Sequence, residues 1–258
     1  MEKLLKLEAC SSLSQSKGRF VESSDKISNL PIHIVHHILS FLMMEDIARL
    51  SMVSKWWQEL CISIPSLTLD GMRYRGKDYK LIHFKNFLDR LMLRRNGMKM
   101  TQFCVRWTFL SWHSEEYRFL TWLQDAVRCN VEVLYLDLYI FLPGAFQMPL
   151  CVLNCESLRF LTLSSSWRPP YLEFFHILER IEELVLHVQC LKALFKAGMM
   201  PIPLKHLHTF HINFISSDSI DADLVPAISL LLEGAVKLQS RFEATGRDWI
   251  KMWERQQM

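Results

Sequence analysis

Four histidines, His187, His206, His208 and His211, are the first residues in this sequence whose type invites chemistry, because imidazoles are frequent metal ligands. Their spacing fits a site poorly: in an extended segment His206 and His208 share one face, and His211 falls on the other. Cys151 and Cys155 lie in an irregular stretch with no matching second pair, so a zinc site is not expected there either. No phosphate loop of the G-x-x-x-x-G-K-S/T or G-x-G-x-x-G type occurs, and the eight glycines are widely separated. Neither G-x-S-x-G nor H-E-x-x-H is present. No catalytic constellation assembles from these residues, and the expectation is a non-enzymatic chain with no catalytic residue, metal or cofactor. Arg90, Arg94, Arg95 and Lys99 follow Phe87, Leu88, Leu91 and Leu93 in the pattern of an amphipathic helix with a wet charged side. The charge balance of 30 basic against 27 acidic residues is far from that of a nucleic-acid binder, so no nucleic-acid partner is expected.

Without a chemical centre, the information lies in what the apolar residues must do. Half of the 258 residues are apolar, enough for one large core or two modest ones. The seven cysteines are odd in number, scattered and free of any C-x-x-C pair, which fits reduced thiols in nucleus or cytoplasm. Lys6 and Glu8 interrupt the first apolar stretch before a secretory core can form, and no run approaches the ~18 residues that span a bilayer; no membrane partner is expected. Residues 1–24 are rich in Ser, Lys and Glu and read as a mobile tail, with order beginning near Asp25.

From Pro31 the pattern turns helical, with Asn29 as a candidate cap. Ile34, Val35, Ile38, Leu39, Phe41 and Leu42 sweep about half of the cylinder, opposite His33, His36, His37 and Ser40. A surface helix needs roughly a 100° stripe to dock on its own core, so apolar surface is left over for a partner or for the rest of the chain. A second short helix is expected around Asp46–Met52, and a third opening at Ser54 with Trp56, Trp57 and Leu60. Three short helices near the lower size limit of independent folding call for a second body to cover them.

The stretch DKISNLPIHIVHHILSFLMMEDIARLSMVSKWWQEL, residues 25–60, resembles the F-box of plant F-box proteins: a Leu-Pro start, an Ile-Leu-Ser-Phe-Leu helix, Asp-x-x-Arg-x-Ser and a Val-Ser-Lys-x-Trp ending. The resemblance implies docking on the Skp-family adaptor of a cullin–RING ubiquitin ligase. Carried over by position, the docking face is Leu30, Pro31, Ile34, Ile38, Leu39 and Leu42 of the first helix with Val53 and Trp57 of the third. The plainer alternative is a helical bundle packed on the rest of the chain.

Beyond Asp70 a unit of apolar-x-x-apolar-x-apolar recurs: Met100, Phe103, Val105; Val131, Leu134, Leu136; Leu158, Leu161, Leu163; Ile181, Leu184, Leu186; and Leu207, Phe210, Ile212. The first positions are 31, 27, 23 and 26 residues apart, close to the 20 to 29 of a leucine-rich repeat, and Ile64, Leu67, Leu69 make a weaker early copy. Each unit predicts a short strand with alternate residues inward, the linking residues returning as helix or coil. A helix is expected over residues 116–129, whereas FLPGAFQMPLCVLNC reads as irregular.

The run FLPGAFQMPLCVLNCESLRFLTLS and the later SDSIDADLVPAISLLLEG resemble the leucine-rich region that follows the F-box in many plant proteins. The expected fold is therefore α+β/α/β: an N-terminal three-helix F-box, residues 25–70, followed over residues 71–258 by a curved leucine-rich-repeat solenoid with a short-stranded parallel sheet. Its concave face is expected to offer Arg106, Tyr135, Asp137, Thr162, Ser164, His187, His211 and Asn213 to a target protein. At the C-terminus Arg241 and Glu243 break the repeat, leaving open either a capping helix with Trp249, Ile250 and Trp253 or a truncated end. Two functional readings stay open: a substrate-recognition subunit of a ubiquitin ligase, with cullin and RING subunits reached through the adaptor, or a leucine-rich-repeat binding or scaffold protein without ligase association.

Overall fold

The computed structural model describes residues 27, 29–74, 76–109, 112–140, 148–164, 177–196, 204–213 and 224–233. The expectations for the tail of residues 1–24 and for Trp249, Ile250 and Trp253 lie outside these residues.

Three helices open the described chain. Helix α1 (Ile32–Ser40) starts behind Pro31, which takes the capping position itself; no side chain caps it, so Asn29 does not play that part. The Pro31 carbonyl instead accepts from the backbone N–H groups of Ile34 and Val35 at 2.9 and 3.2 Å. Helix α2 (Met44–Leu50) begins two residues before the expected Asp46, which places Glu45 and Asp46 in the first turn, where the helix dipole favours carboxylates. Helix α3 (Lys55–Ser63) is capped as expected: Ser54 Oγ accepts from Trp57 N at 3.3 Å.

The chain then enters a six-stranded sheet of β1 (Ser66–Asp70), β2 (Gln102–Phe109), β3 (Val133–Ile140), β4 (Phe160–Leu163), β5 (Glu183–His187) and β6 (Thr209–Asn213). The strands lie in sequence order and every pairing is parallel. Parallel sequential neighbours require a crossover at each step, and such crossovers are right-handed as a rule, which puts successive returns on the same face. Those returns include α4 (Asp78–Arg95), α5 (Trp112–Arg128), the short α6 (Leu150–Leu153) and α7 (Val188–Lys196), with α8 (Leu224–Glu233) after β6.

The register turns the repeat into two ladders. Leu67, Phe103, Leu134, Leu161, Leu184 and Phe210 pair across the sheet, as do Leu69, Val105, Leu136, Leu163, Leu186 and Ile212. All are buried, as are the first positions Ile64, Met100, Val131, Leu158, Ile181 and Leu207. Each such side chain contributes roughly 1.5–3 kcal/mol when removed from water, so the ladders are the main driving force for stacking. The helix expected over residues 116–129 is α5, which starts at Trp112.

Two details join the helical unit to the sheet. One core runs from Val35 and Leu39 of α1 to Ala227 and Leu231 of α8. Arg95, expected on a wet charged face of α4, is buried instead. Its guanidinium donates to the carbonyls of Ile62 and Ile64, each at 2.7 Å, and of Lys99 at 3.0 Å, clamping the exit of α3 to the end of α4. Leu93, expected on the apolar side, points to solvent. A turn of 3₁₀ helix, Gly71–Tyr74, follows β1; a Cβ at Gly71 would sit 2.5 Å from Trp107 Cε3, so only glycine lets that indole lie under the turn.

Candidate functional site

Two surfaces carry the recognition residues expected from the sequence. The first belongs to α1–α3. Residues i and i+4 share a helix face, and in α1 that face is Val35 and Leu39, both 1% exposed. Leu39, expected on the docking face, therefore packs inward and leaves it. Leu30, Pro31, Ile34, Ile38, Leu42 and Val53 are exposed, whereas Trp57 is half-buried against the core. The structure adds to this face Ile32 (59% exposed), Met43 and Met52 (78%), which the sequence pattern did not single out, and Phe41 (68%) and Trp56, which it marked only as apolar helix residues. All were legible as apolar, but the turns between the helices had to be placed before Phe41, Met43, Met52 and Trp56 could join Ile32 and the rest of α1. Behind them His36 Nε2 lies 2.9 Å from Ser63 Oγ, and burial, with Arg95 nearby, holds this imidazole below its ordinary pKa.

The second surface is the sheet face opposite the ladders. The register aligns Thr68, Cys104, Tyr135, Thr162, Val185 and His211 in one row, and Asp70, Arg106 and Asp137 in the next, which His187 and Asn213 continue on β5 and β6. Seven of the eight expected recognition residues lie on these strands, and Ser164 directly follows β4. They are not equally available. Arg106, Tyr135, Thr162, Ser164, His211 and Asn213 are partly exposed, but Asp137 and His187 are buried. Neighbouring strands are only ~4.8 Å apart, and the polar groups in the row bind one another. Arg106 Nε donates to Asp137 Oδ2 at 3.2 Å, Asn213 Nδ2 donates to Ser164 Oγ at 3.2 Å, and the Gln189 backbone N–H donates to His187 Nδ1 at 3.2 Å. Burial raises the Asp137 carboxyl to about 6 although Arg106 pulls it the other way. Cys104, in the same face, is pushed up to about 12 by burial, so it supplies no thiolate nucleophile near neutrality.

The two surfaces differ from the chemistry considered first. The buried His187 and the partly exposed His211 share the sheet face opposite the ladders, while His206 and His208 sit exposed before β6, so the four histidines do not converge. Among the described residues no group of three His, Cys, Asp or Glu side chains is placed to hold a metal, and no helix is long and apolar enough to cross a membrane. A polar network the sequence did not announce lies between α4, α5 and β2: Lys85 pairs with Glu115 and stands 5.7 Å from the Trp107 ring centroid, and Trp107 Nε1 donates to Glu115. Trp122 Nε1 likewise donates to Asp89 at 2.8 Å, so both indoles are structural staples between the first two returns.

A three-helix unit with uncovered apolar residues at the head of a sequential parallel sheet defines the class: residues 27–67 match the F-box-like family and form an F-box-like domain. The rest of the likeness is to plant proteins. The chain is 33% identical over 151 residues to F-box/LRR-repeat protein At3g59190 of Arabidopsis thaliana, a match covering 56% of this chain and 38% of that protein. It is 30% identical over 144 residues to F-box/LRR-repeat protein At4g14103 of the same plant, covering 55% and 36%. F-box/LRR-repeat protein At2g42720 matches at 30% over 142 residues, covering 54% and 32%. The matched stretch thus spans about a third of the length of these curated relatives.

Proposed function

We propose that the chain is a non-catalytic substrate-recognition subunit of an SCF-type cullin–RING ubiquitin ligase. Its F-box, residues 25–70, engages a Skp-family adaptor through Leu30, Pro31, Ile34, Ile38, Leu42, Val53 and Trp57, joined by Ile32, Phe41 and Met52. Residues 71–258 act as a leucine-rich-repeat solenoid that holds a target protein, with the partly exposed Arg106, Tyr135, Thr162, Ser164, His211 and Asn213 in contact and Asp137 and His187 bracing them from beneath. The work is done by tethering: a held target meets the ubiquitin-loaded enzyme at high effective concentration, and this chain supplies no reacting group. Such a subunit operates in nucleus or cytoplasm, where its buried thiols stay reduced.

The observation that carries this reading is the apolar surface of α1–α3 that is exposed among the described residues, in a unit matching the F-box-like family. Exposed apolar clusters of this kind mark protein interfaces. Co-purification of the tagged chain with a Skp-family adaptor is the test. Wild type is expected to capture the adaptor, and Leu30→Asp or Ile38→Asp to lose it with an unchanged far-UV spectrum. Absence of capture by wild type, or equal capture by both variants, overturns the proposal in favour of a leucine-rich scaffold without ligase association.

A further inference from the structure

Between the F-box-like helices and the first return of the sheet lies a cleft of about 1220 Å³. One wall is α2 and α3 with Arg49, Met52 and Lys55; the other is the 3₁₀ turn and α4. Along α4 the lining recurs every three or four residues, from Lys77 and Lys80 through Phe87 to Arg90 and Arg94, one continuous stripe. At ~1.5 Å per residue that stripe is roughly 25 Å long.

Its charge is one-sided. Arg49 pairs with Asp46 and Arg73 with Asp70, but Lys55, Lys77, Lys80, Arg90 and Arg94 have no ion-pair partner among the described residues. Glu45, a carboxylate in the lining, is engaged with Tyr74. The floor between the cations is apolar, with Ile62, Phe87 and Leu91.

We infer that this cleft binds an acidic peptide segment of a partner protein, extended along α4, with alternate apolar side chains on the floor and carboxylates toward the lysines and arginines. A stripe of ~25 Å matches about eight residues at ~3.3 Å each, and is too long for a compact polyphosphate to reach all its cations. A nucleic-acid strand needs free aromatic faces for its bases. Here Tyr74 stacks on Phe84 at 4.8 Å and Phe84 on Trp107 at 6.4 Å, so those faces are taken. Residues 1–26 hold five basic and four acidic side chains and residues 234–258 hold five and three, so neither stretch carries an acidic excess. The chain's acidic run DSIDAD, residues 218–223, lies in sequence between β6 and α8, and β6 is the strand at the far edge of the sheet from β1. The site adjoins the apolar docking surface and shares Met52 with it, but its cations lie outside that surface, and the test needs no adaptor.

The test is fluorescence anisotropy of the full chain with a fluorescein-labelled octapeptide, Glu-Leu-Glu-Glu-Phe-Glu-Glu-Leu. Binding is expected to weaken at least tenfold between 50 and 300 mM salt. It is expected to weaken at least tenfold again in Lys80→Glu/Arg90→Glu, two exposed positions, and several-fold in the milder Lys77→Ala/Arg94→Ala. Lys205→Glu, on the surface before β6, leaves it unchanged. Equal affinity in wild type and both double variants, tighter binding of a labelled octathymidylate, or displacement of the peptide by equimolar tripolyphosphate each overturns the inference.

Discussion

The helical unit and the sheet spend their apolar residues in opposite ways. Across the sheet every ladder residue is buried, from Leu67 to Phe210 and from Leu69 to Ile212. In α1 only Val35 and Leu39 turn inward, while Ile32, Ile34 and Ile38 stay in water. A repeat can be covered by the next repeat, so a stack closes its own core. Among the described residues the three short helices have no such neighbour on their outer side, and their surplus is exposed. Apolar content alone therefore says little about where stability resides; what matters is whether a covering element belongs to the same chain.

The largest effect is expected where the stack is tightest. Leu136 lies on β3, between paired β2 and β4, and Leu136→Ala is expected to cost about 3–5 kcal/mol through lost transfer energy and the cavity left behind. The urea midpoint measures it. A loss below about 1 kcal/mol would mean that the ladders do not carry the fold, and the contrast with α1 would fail.

Next in size is the joint between the regions. Arg95 satisfies three carbonyls, two of them at the exit of α3. Arg95→Met keeps the aliphatic stem but leaves those carbonyls buried without a donor, at an expected cost of about 3 kcal/mol. Hydrogen exchange should locate the damage: amides of α3 and β1 lose protection first, while those of β4 and β5 hold. Uniform loss across the sheet would show that helices and sheet open as one unit.

Much of this division was legible in the sequence, because both periodicities are local. The spacing of the apolar units sets alternation in a strand, and it fixed which residues are inside without any knowledge of the register. What was not legible depends on neighbours far along the chain. Arg95 looked like one more cation on a wet face beside Arg90 and Arg94; only the arrival of Ile62 and Ile64 makes its position interior. Leu39 belonged to an apolar arc too wide to be buried whole, and pattern alone does not say which part turns inward. Asp137 and His187 fell on the expected sheet face, but they are buried there, hydrogen-bonded to the Arg106 side chain and the Gln189 backbone N–H, residues 31 and 2 positions away.

Asp137 gives a pH-dependent test of that closure. Its carboxyl rises from 3.8 to about 6, chiefly by burial, so the folded protein holds the proton more tightly than the unfolded chain. Stability from this group is fully present below pH ~4 and is lost as the pH climbs through about 6. At ~1.4 kcal/mol per pH unit the loss amounts to roughly 1–3 kcal/mol. Thermal unfolding of wild type and Asp137→Asn from pH 4 to pH 7 should show wild type falling relative to the variant across this window. Parallel curves would mean that the site is open to water and that the row is a wet surface like that of α1.

The smallest effect is the most informative about the helical unit. Met52 and Val53, 78% and 69% exposed in the turn between α2 and α3, make few contacts for the fold to lose. Met52→Ser/Val53→Ser should leave the urea midpoint within about 0.5 kcal/mol per site, as surface changes do. Two conservative serines also preserve the turn, since nothing there requires a side chain to pack. If the double variant instead unfolds early, those side chains are core in solution and the helical unit closes on itself as the sheet does. A near-zero effect on stability, together with reduced self-association at high protein concentration, places these residues outside the folding problem and leaves contact with another molecule as what their apolar surface is for.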